Sequence, residues 1–325
     1  MAKARAIVKR RKAVRNIKKI TKTMQMIATA KFQKSLKRAV GTKAYTLKVP
    51  ELVRDLASSI GENVEHPLLR RIEPENRSGR IVLLVITSNR GLAGAYNGSV
   101  LRMANSFIRE KEAAGSTVEL HVIGKKGFSY FTYQKRAIAH RSDAIDTPRY
   151  EEVQRIGDGF IEDFVSGRID GVYVAYVNFI SAGTQKPDVM ELLPLASMEE
   201  ATEHIAQQVA EKEAQVRAGA LDTKRSGADV HAAAHVAGHT IYEFSPSAHE
   251  LLDELLPLTV KTALFQAFLD ATTSEHVARM VAMKSATDNA DKMAKALTMQ
   301  YNRARQSQIT TELSEIMGGV EAMQG

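Results

Sequence analysis

The chain has 325 residues, 44% of them apolar, a formal net charge of +8, and neither cysteine nor tryptophan. That length and apolar share allow one large domain or two modest ones with a sizeable core. Without cysteine there is no disulfide, no thiolate nucleophile and no cysteine-ligated metal, a usage that suits a reducing cytoplasm. The start is not patterned as a signal peptide, because Ile7 and Val8 run at once into Lys9, Arg10, Arg11 and Lys12. No stretch approaches the roughly 18 uninterrupted apolar residues of a membrane-spanning helix, so the expectation is a soluble chain, at most peripheral to a membrane.

Residues 1–58 read as one long helix, with no Gly before Gly41 and no Pro before Pro50. Val14, Ile17, Ile20 (with Thr21), Met24 and Ile27 recur at spacings of three and four, the narrow seam of a coiled coil. About fifty helical residues would span roughly 75 Å, too long to stand without a partner helix. The first fifty residues carry sixteen Lys or Arg and no acid before Glu51. Such an arm suits nucleic acid, a membrane surface or an acidic protein face; its bland reading is a solvated helix face.

Over 78–195 the period changes. Arg80–Thr87, Thr117–Gly124 and Asp170–Val177 are short β-branched runs, patterned like strands buried on both faces. Residues 137–140 and 189–193 are weaker strand candidates, and helices are expected near 97–114, 124–134 and 149–167. Strands alternating with helices predict a Rossmann-like α/β domain, its sheet mostly parallel and covered on both faces.

The stretch 199–240 is rich in Ala, Glu and His and reads as an atypical insertion. Its His231, His235 and His239 stand four apart, a spacing that metal ligands on a helix would use; with Gly238 inside that face and polar surroundings, a solvated insertion is the alternative. Residues 246–320 read as helix again. Ser247 with Glu250 fits a capping box, Pro257 is expected to split or kink the helix, and Gly318-Gly319 to end it. Val277, Met280, Met283, Thr287, Ala290, Ala294, Leu297, Tyr301 and Ala304 step by threes and fours, so the two ends are expected to pair, antiparallel. The methionines read as core filling or as a surface that adapts to several partner shapes, and Asp288, Asp291, Glu312 and Glu315 as a solvated face.

Catalytic chemistry is hard to find. The loop Ser88-Asn89-Arg90-Gly91-Leu92-Ala93-Gly94 precedes a helix, yet has neither G-x-G-x-x-G spacing nor G-K-[ST]. It reads as a tight strand-to-helix turn, with Arg90 able to reach a partner's carboxylate. No Ser/His/Asp constellation is readable from the spacing.

Three segments carry a resemblance. Ile17-Lys18-Lys19-Ile20-Thr21-Lys22-Thr23-Met24-Gln25-Met26-Ile27-Ala28-Thr29-Ala30-Lys31 resembles the N-terminal signature of the F-type ATP synthase gamma-subunit family. Ser274 to Ala290, containing Ala278-Arg279-Met280-Val281-Ala282-Met283-Lys284, and Tyr301 to Leu313 resemble its C-terminal helix. The loop after the first strand is similar to the family's S-D-R-G-L-C-G turn, with Asn89 in place of the usual Asp and Ala93 in place of a frequent Cys; the usual Asp's ion pairs are therefore not carried over. The match omits only 199–240.

The resemblance implies a central rotor stalk of the proton-translocating ATP synthase, whose terminal helices form a coiled coil inside a ring of alpha and beta subunits. The α/β domain would face the epsilon subunit and the c-subunit ring of the membrane. Rotation would cycle the catalytic beta subunits, leaving this chain with no catalytic residue, no cofactor and no metal. Lys22, Met24, Arg90, Arg279, Arg305, Gln306, Thr310 and Glu312 would contact the alpha/beta ring, with Gln306, Thr310 and Glu312 near one helix face. The location implied is the cytoplasmic face of a bacterial inner membrane, reached through the complex. The insertion would affect epsilon docking or regulation. Two rivals remain: a nucleic-acid-binding coiled coil, disfavoured by the apolar seam and scarce aromatics in the basic arm, and a nucleotide-dependent enzyme, disfavoured by the loop's glycine spacing.

Overall fold

The computed structural model describes residues 2–60, 66–69, 78–195 and 248–324. The insertion at 199–240, its three histidines and the Ser247 cap lie outside the described residues. By packing, the chain divides into two units: Met1–Gln33, Leu92–Gly94 and His276–Gly325 in one, Lys34–Gly91 and Ala95–Glu275 in the other. Two long helices, α1 (Ala2–Ile60) and α5 (Ala248–Gln324), contribute to both.

The larger unit holds a five-stranded sheet. Its elements are β1 (Arg80–Ile86), α2 (Tyr96–Ala113), β2 (Thr117–Ile123), α3 (Lys125–Tyr133), β3 (His140–Ser142), α4 (Tyr150–Val165), β4 (Gly171–Phe179) and β5 (Gln185–Leu193). The order is β3-β2-β1-β4-β5. The first four strands run parallel, and β5 returns antiparallel along β4. The strand expected at 137–140 instead begins at His140, because the backbone of Ala139 is still returning from α3 and donates to the Leu120 carbonyl at 2.9 Å.

Six of the seven residues of β1 are buried, as a strand covered on both faces requires. Val82, Leu84 and Ile86, with Val172, Val174 and Tyr176 of β4, join one cluster with Val153, Phe160 and Phe164 of α4 and with Leu256, Val260, Leu264 and Phe268 of α5. The alternate strand residues, such as Leu83, point the other way, the side where Val100, Ala104 and Ile108 of α2 and Phe131 of α3 are buried. Each fully buried Leu or Phe contributes about 1.5–3 kcal/mol, so the first third of α5 is held by core packing. The Tyr176 phenol is pushed well above its ordinary range, chiefly by burial and then by the charges of Asp270 and Asp188.

In the smaller unit α1 and α5 run antiparallel. Thr21 meets Thr287 at 2.8 Å, Lys18 pairs with Asp291, and the Arg11 guanidinium lies 4.9 Å from the centre of the Tyr301 ring. Rising numbers on one helix meet falling numbers on the other only in an antiparallel pair. The α5 positions expected in the seam are all buried or half-buried. On α1 the expectation needs correction. Ile17, Ile20 and Ile27 are more than half exposed; the described positions of α1 buried in this unit are Val14, Thr21 and Ala28, seven apart, a step that Ser35 continues in the larger unit. Between them Arg11, Lys18, Gln25 and Phe32 complete the alternation of four and three, Arg11, Gln25 and Phe32 half-buried and Lys18 held by its pairing with Asp291. Apart from Val14, the buried positions are small or hydroxylic, and the large isoleucines face outward.

Two expected stops in α5 are absent: the helix neither splits at Pro257 nor ends at Gly318-Gly319. Pro257 sits within the helix, flanked by buried Leu256 and Val260, whose packing outweighs the lost backbone hydrogen bond. Gly318 and Gly319 are helical too; glycine costs about 1 kcal/mol against alanine in a helix, a penalty and not a stop.

Candidate partner-binding surface

The turn after β1 is tied down from three sides. Asn97 accepts from the Ser88 backbone N–H at 3.0 Å and its amide donates to the Ser88 hydroxyl at 2.8 Å. The Ser88 hydroxyl also donates to the Arg90 carbonyl at 2.6 Å. Asn89 Oδ1 accepts from the backbone N–H of Ala144 and of Lys125, at 3.0 and 3.2 Å, while its Nδ2 donates to the Ala144 carbonyl at 2.9 Å. Arg90 stands exposed on this framework.

The same turn accounts for the N-terminus of α3. Its leading N–H groups go to Asn89 Oδ1 from Lys125, to the Ser88 carbonyl from Lys126 and to Thr87 Oγ1 from Gly127. A helix start binds phosphate when such groups are unspent; here internal acceptors hold them. Gly124 is required by geometry, since its φ is +95° and a Cβ there would lie 2.2 Å from the Thr87 carbonyl oxygen. Among the described residues, no group of three or more His, Asp or Glu is placed to hold a metal ion, and no helix is long and apolar enough to cross a membrane.

The residues expected to contact partners fall into three groups beside Arg90. Lys22 and Met24 lie on α1, Lys22 exposed with its ammonium 3.4 Å from Gln25 Oε1, and Met24 half-buried. Arg279 on α5 is half-buried. Arg305, Gln306, Thr310 and Glu312 are all exposed on the last third of α5. The Thr310 hydroxyl donates to the Gln306 carbonyl at 3.0 Å, so these two share a face. Glu312 does not: it accepts from Gln308 at 2.8 Å. At about 100° per residue it points some 240° round from Gln306, so the expected three-residue face reduces to two.

Sequence reasoning missed the most exposed apolar surface. From Ile309 to Val320 every residue is exposed, yet Ile309, Leu313, Ile316, Met317, Val320 and Met323 recur at helical spacing and fall within an arc of about 120°. The signal lies in the same period of three and four that marks the seam, continued beyond Ala304. Ile17, Ile20, Met26 and Ile27 add a second exposed apolar set on α1, set among exposed Arg15, Lys19 and Lys22. Past residue 50 the chain reverses sign, with 29 basic residues against 37 acids. Asp291 is an acid with a defined partner set, since hydrogen bonds from Lys18 and then Lys295 hold its carboxyl below the ordinary range.

A fold of this kind recurs in solved chains of ATP synthase assemblies. The solved chain from the Euglena gracilis mitochondrial ATP synthase assembly of OSCP, F1 and c-ring aligns with a TM-score of 0.59 at 16% identity, over 99% of this chain and 95% of that one. The Tetrahymena thermophila central stalk and c-ring structure contains a chain that aligns at 0.54 and 18% identity, over 82% of this chain and 99% of that one. These likenesses are of fold. A family model described as ATP synthase matches residues 3–323. The ATP synthase gamma chain of Rhodopirellula baltica is 41% identical over 100% of both chains, and that of Gemmatimonas aurantiaca 35% over 100% of both. The chain belongs to the ATP synthase gamma-chain family.

Proposed function

We propose that the chain is the central rotor stalk of a proton-translocating rotary ATP synthase, linking rotation of a membrane c ring to the conformational cycle of catalytic beta subunits. The observation that carries this reading, beside family membership, is the apolar stripe of Ile309–Met323 on an exposed helix. Such a stripe on a soluble surface calls for a partner, and an enclosing ring of alpha and beta subunits is the partner that fits a helix exposed on every side. Arg305, Gln306 and Thr310 supply polar contacts at its border, and Glu312 contacts a different part of the ring.

The basic arm of α1, with Lys22 and Met24, faces acidic segments of beta, and Arg90 with its fixed turn engages the same region; Arg279 adds a contact from α5. Opposite charge steers assembly and costs little to exchange as the ring's three faces pass. The sheet unit engages the epsilon subunit and the c ring, and the 199–240 insertion modulates epsilon docking. Catalysis belongs to the beta subunits. The complex sits on the cytoplasmic face of a bacterial inner membrane, to which this chain is peripheral.

The test is co-expression with cognate alpha and beta subunits, followed by ATPase assay of the purified complex with and without the chain. One copy per ring and activity that depends on it are expected. An alpha–beta ring that forms and hydrolyses ATP equally well without the chain would overturn the reading.

A further inference from the structure

We infer that Asn89 is a positioning residue for Arg90, acting as a neutral clamp that an aspartate at this place could not reproduce. The inference rests on the reading that Arg90 contacts the alpha/beta ring. Three polar groups from two other segments converge on the Asn89 side chain. Two of them, the N–H of Ala144 and of Lys125, require an acceptor; the third, the Ala144 carbonyl 2.9 Å away, requires a donor. A carboxamide supplies both at neutral pH, whereas an ionised carboxylate only accepts. The same pattern fixes which end of the amide is oxygen, since the reverse orientation would set its NH2 against two N–H groups. An ionised carboxylate would keep both N–H contacts but bring an oxygen against the Ala144 carbonyl. The resulting repulsion favours states in which the turn leaves this position.

Arg90 is the next residue in the chain. Its carbonyl is held by the Ser88 hydroxyl at 2.6 Å, and Ser88 in turn is held by Asn97. Asn89 and Asn97 therefore bracket the arginine, one binding the turn to the segment before α4 and to α3, the other to α2. A long, entropy-rich side chain binds more tightly when its backbone is fixed beforehand. An aspartate here would add a charge to the turn that the carboxamide does not.

The experiment is a cycle on the reconstituted alpha–beta ring, reading the concentration of this chain that half-restores ATPase activity. R90A is expected to raise it about tenfold and N89D about threefold to tenfold. The double variant N89D/R90A is expected to need no more chain than R90A alone, because a misplaced alanine has nothing left to lose. N89A, which removes the clamp without adding charge, repeats the cycle in the same direction and stands in if N89D folds poorly, as judged by thermal unfolding of the chain. If the two effects multiply in the double variant, or if N89D and N89A match the unaltered chain, the positioning role is refuted. If R90A itself has no effect, the ring contact of Arg90 fails, and with it the reading on which this inference stands.

Discussion

The two ends of α5 are built from similar residue types and meet opposite fates. Between Leu252 and Ala271 the helix buries Leu256, Val260, Leu264 and Phe268 in the core of the sheet unit. Between Ile309 and Met323 it carries Ile, Leu, Met and Val at comparable spacing, all exposed. Helix propensity does not separate the two segments, and hydrophobicity separates them little. What differs is whether the same chain supplies the covering surface. The first segment is therefore a folding element; the second carries an apolar stripe that its own chain leaves uncovered, and on the proposed reading it is an assembly element.

That contrast can be broken by substitution. The largest effect is expected inside the sheet unit, where Gly124→Ala drives a Cβ to 2.2 Å from the Thr87 carbonyl oxygen at a backbone φ of +95°. The expected outcome is loss of soluble, folded chain, read by expression yield and circular dichroism. Phe268→Ala, at a side chain 2% exposed, should cost about 3–5 kcal/mol in urea unfolding. Leu313→Ser and Ile316→Ser should leave that unfolding within about 0.5 kcal/mol of the parent, while sharply weakening assembly with the alpha–beta ring. Equal loss of chain stability at both ends would erase the distinction between folding element and assembly element.

Smaller effects sharpen the comparison in the seam between the ends. Replacing both Thr21 and Thr287 by Val removes a mutual hydroxyl contact without leaving either partner unmatched across the seam. The change in thermal unfolding should stay within about 1 kcal/mol, of either sign. The smallest effect concerns Asp291. Its folded carboxyl lies below its unfolded value through the hydrogen bonds from Lys18 and Lys295. Its contribution is thus present above the ordinary aspartate range and lost as pH falls through the lowered value. Asp291→Asn should flatten the acid limb of the pH–stability curve there, measured by the unfolding midpoint from neutral to acid pH.

The sheet was legible because its signals are local. β-branched runs at Arg80–Ile86, Thr117–Ile123 and Gly171–Phe179 give strands wherever both faces are covered, and the intervening periods place the helices to within two residues. The seam of α1 was less legible. Apolar periodicity selects the largest aliphatic side chains, and on α1 these are Ile17, Ile20 and Ile27, which face outward, while Thr21, Ala28 and Ser35 take the inside. A rule that equates apolar with inward misreads a helix whose largest aliphatic side chains face away from its own chain. Glu312 was misplaced for a simpler reason: six residues are more than a turn and a half, so a spacing of six does not share a face. The clamp at Asn89 was not legible, because its partners Lys125 and Ala144 are 36 and 55 residues away in sequence; only the departure from the family's usual residue marked the position.

The continuity of α5 has a mechanical consequence. Pro257 and the Gly318-Gly319 pair, its intrinsically weak points, lie toward its opposite ends, and the sixty residues from Leu258 to Met317 contain neither glycine nor proline. At about 1.5 Å per residue that is some 90 Å of uninterrupted hydrogen-bonded ladder. A helix without such weak points resists bending and twisting along its own length, and stiffness, more than any side-chain chemistry, is what those sixty residues contribute.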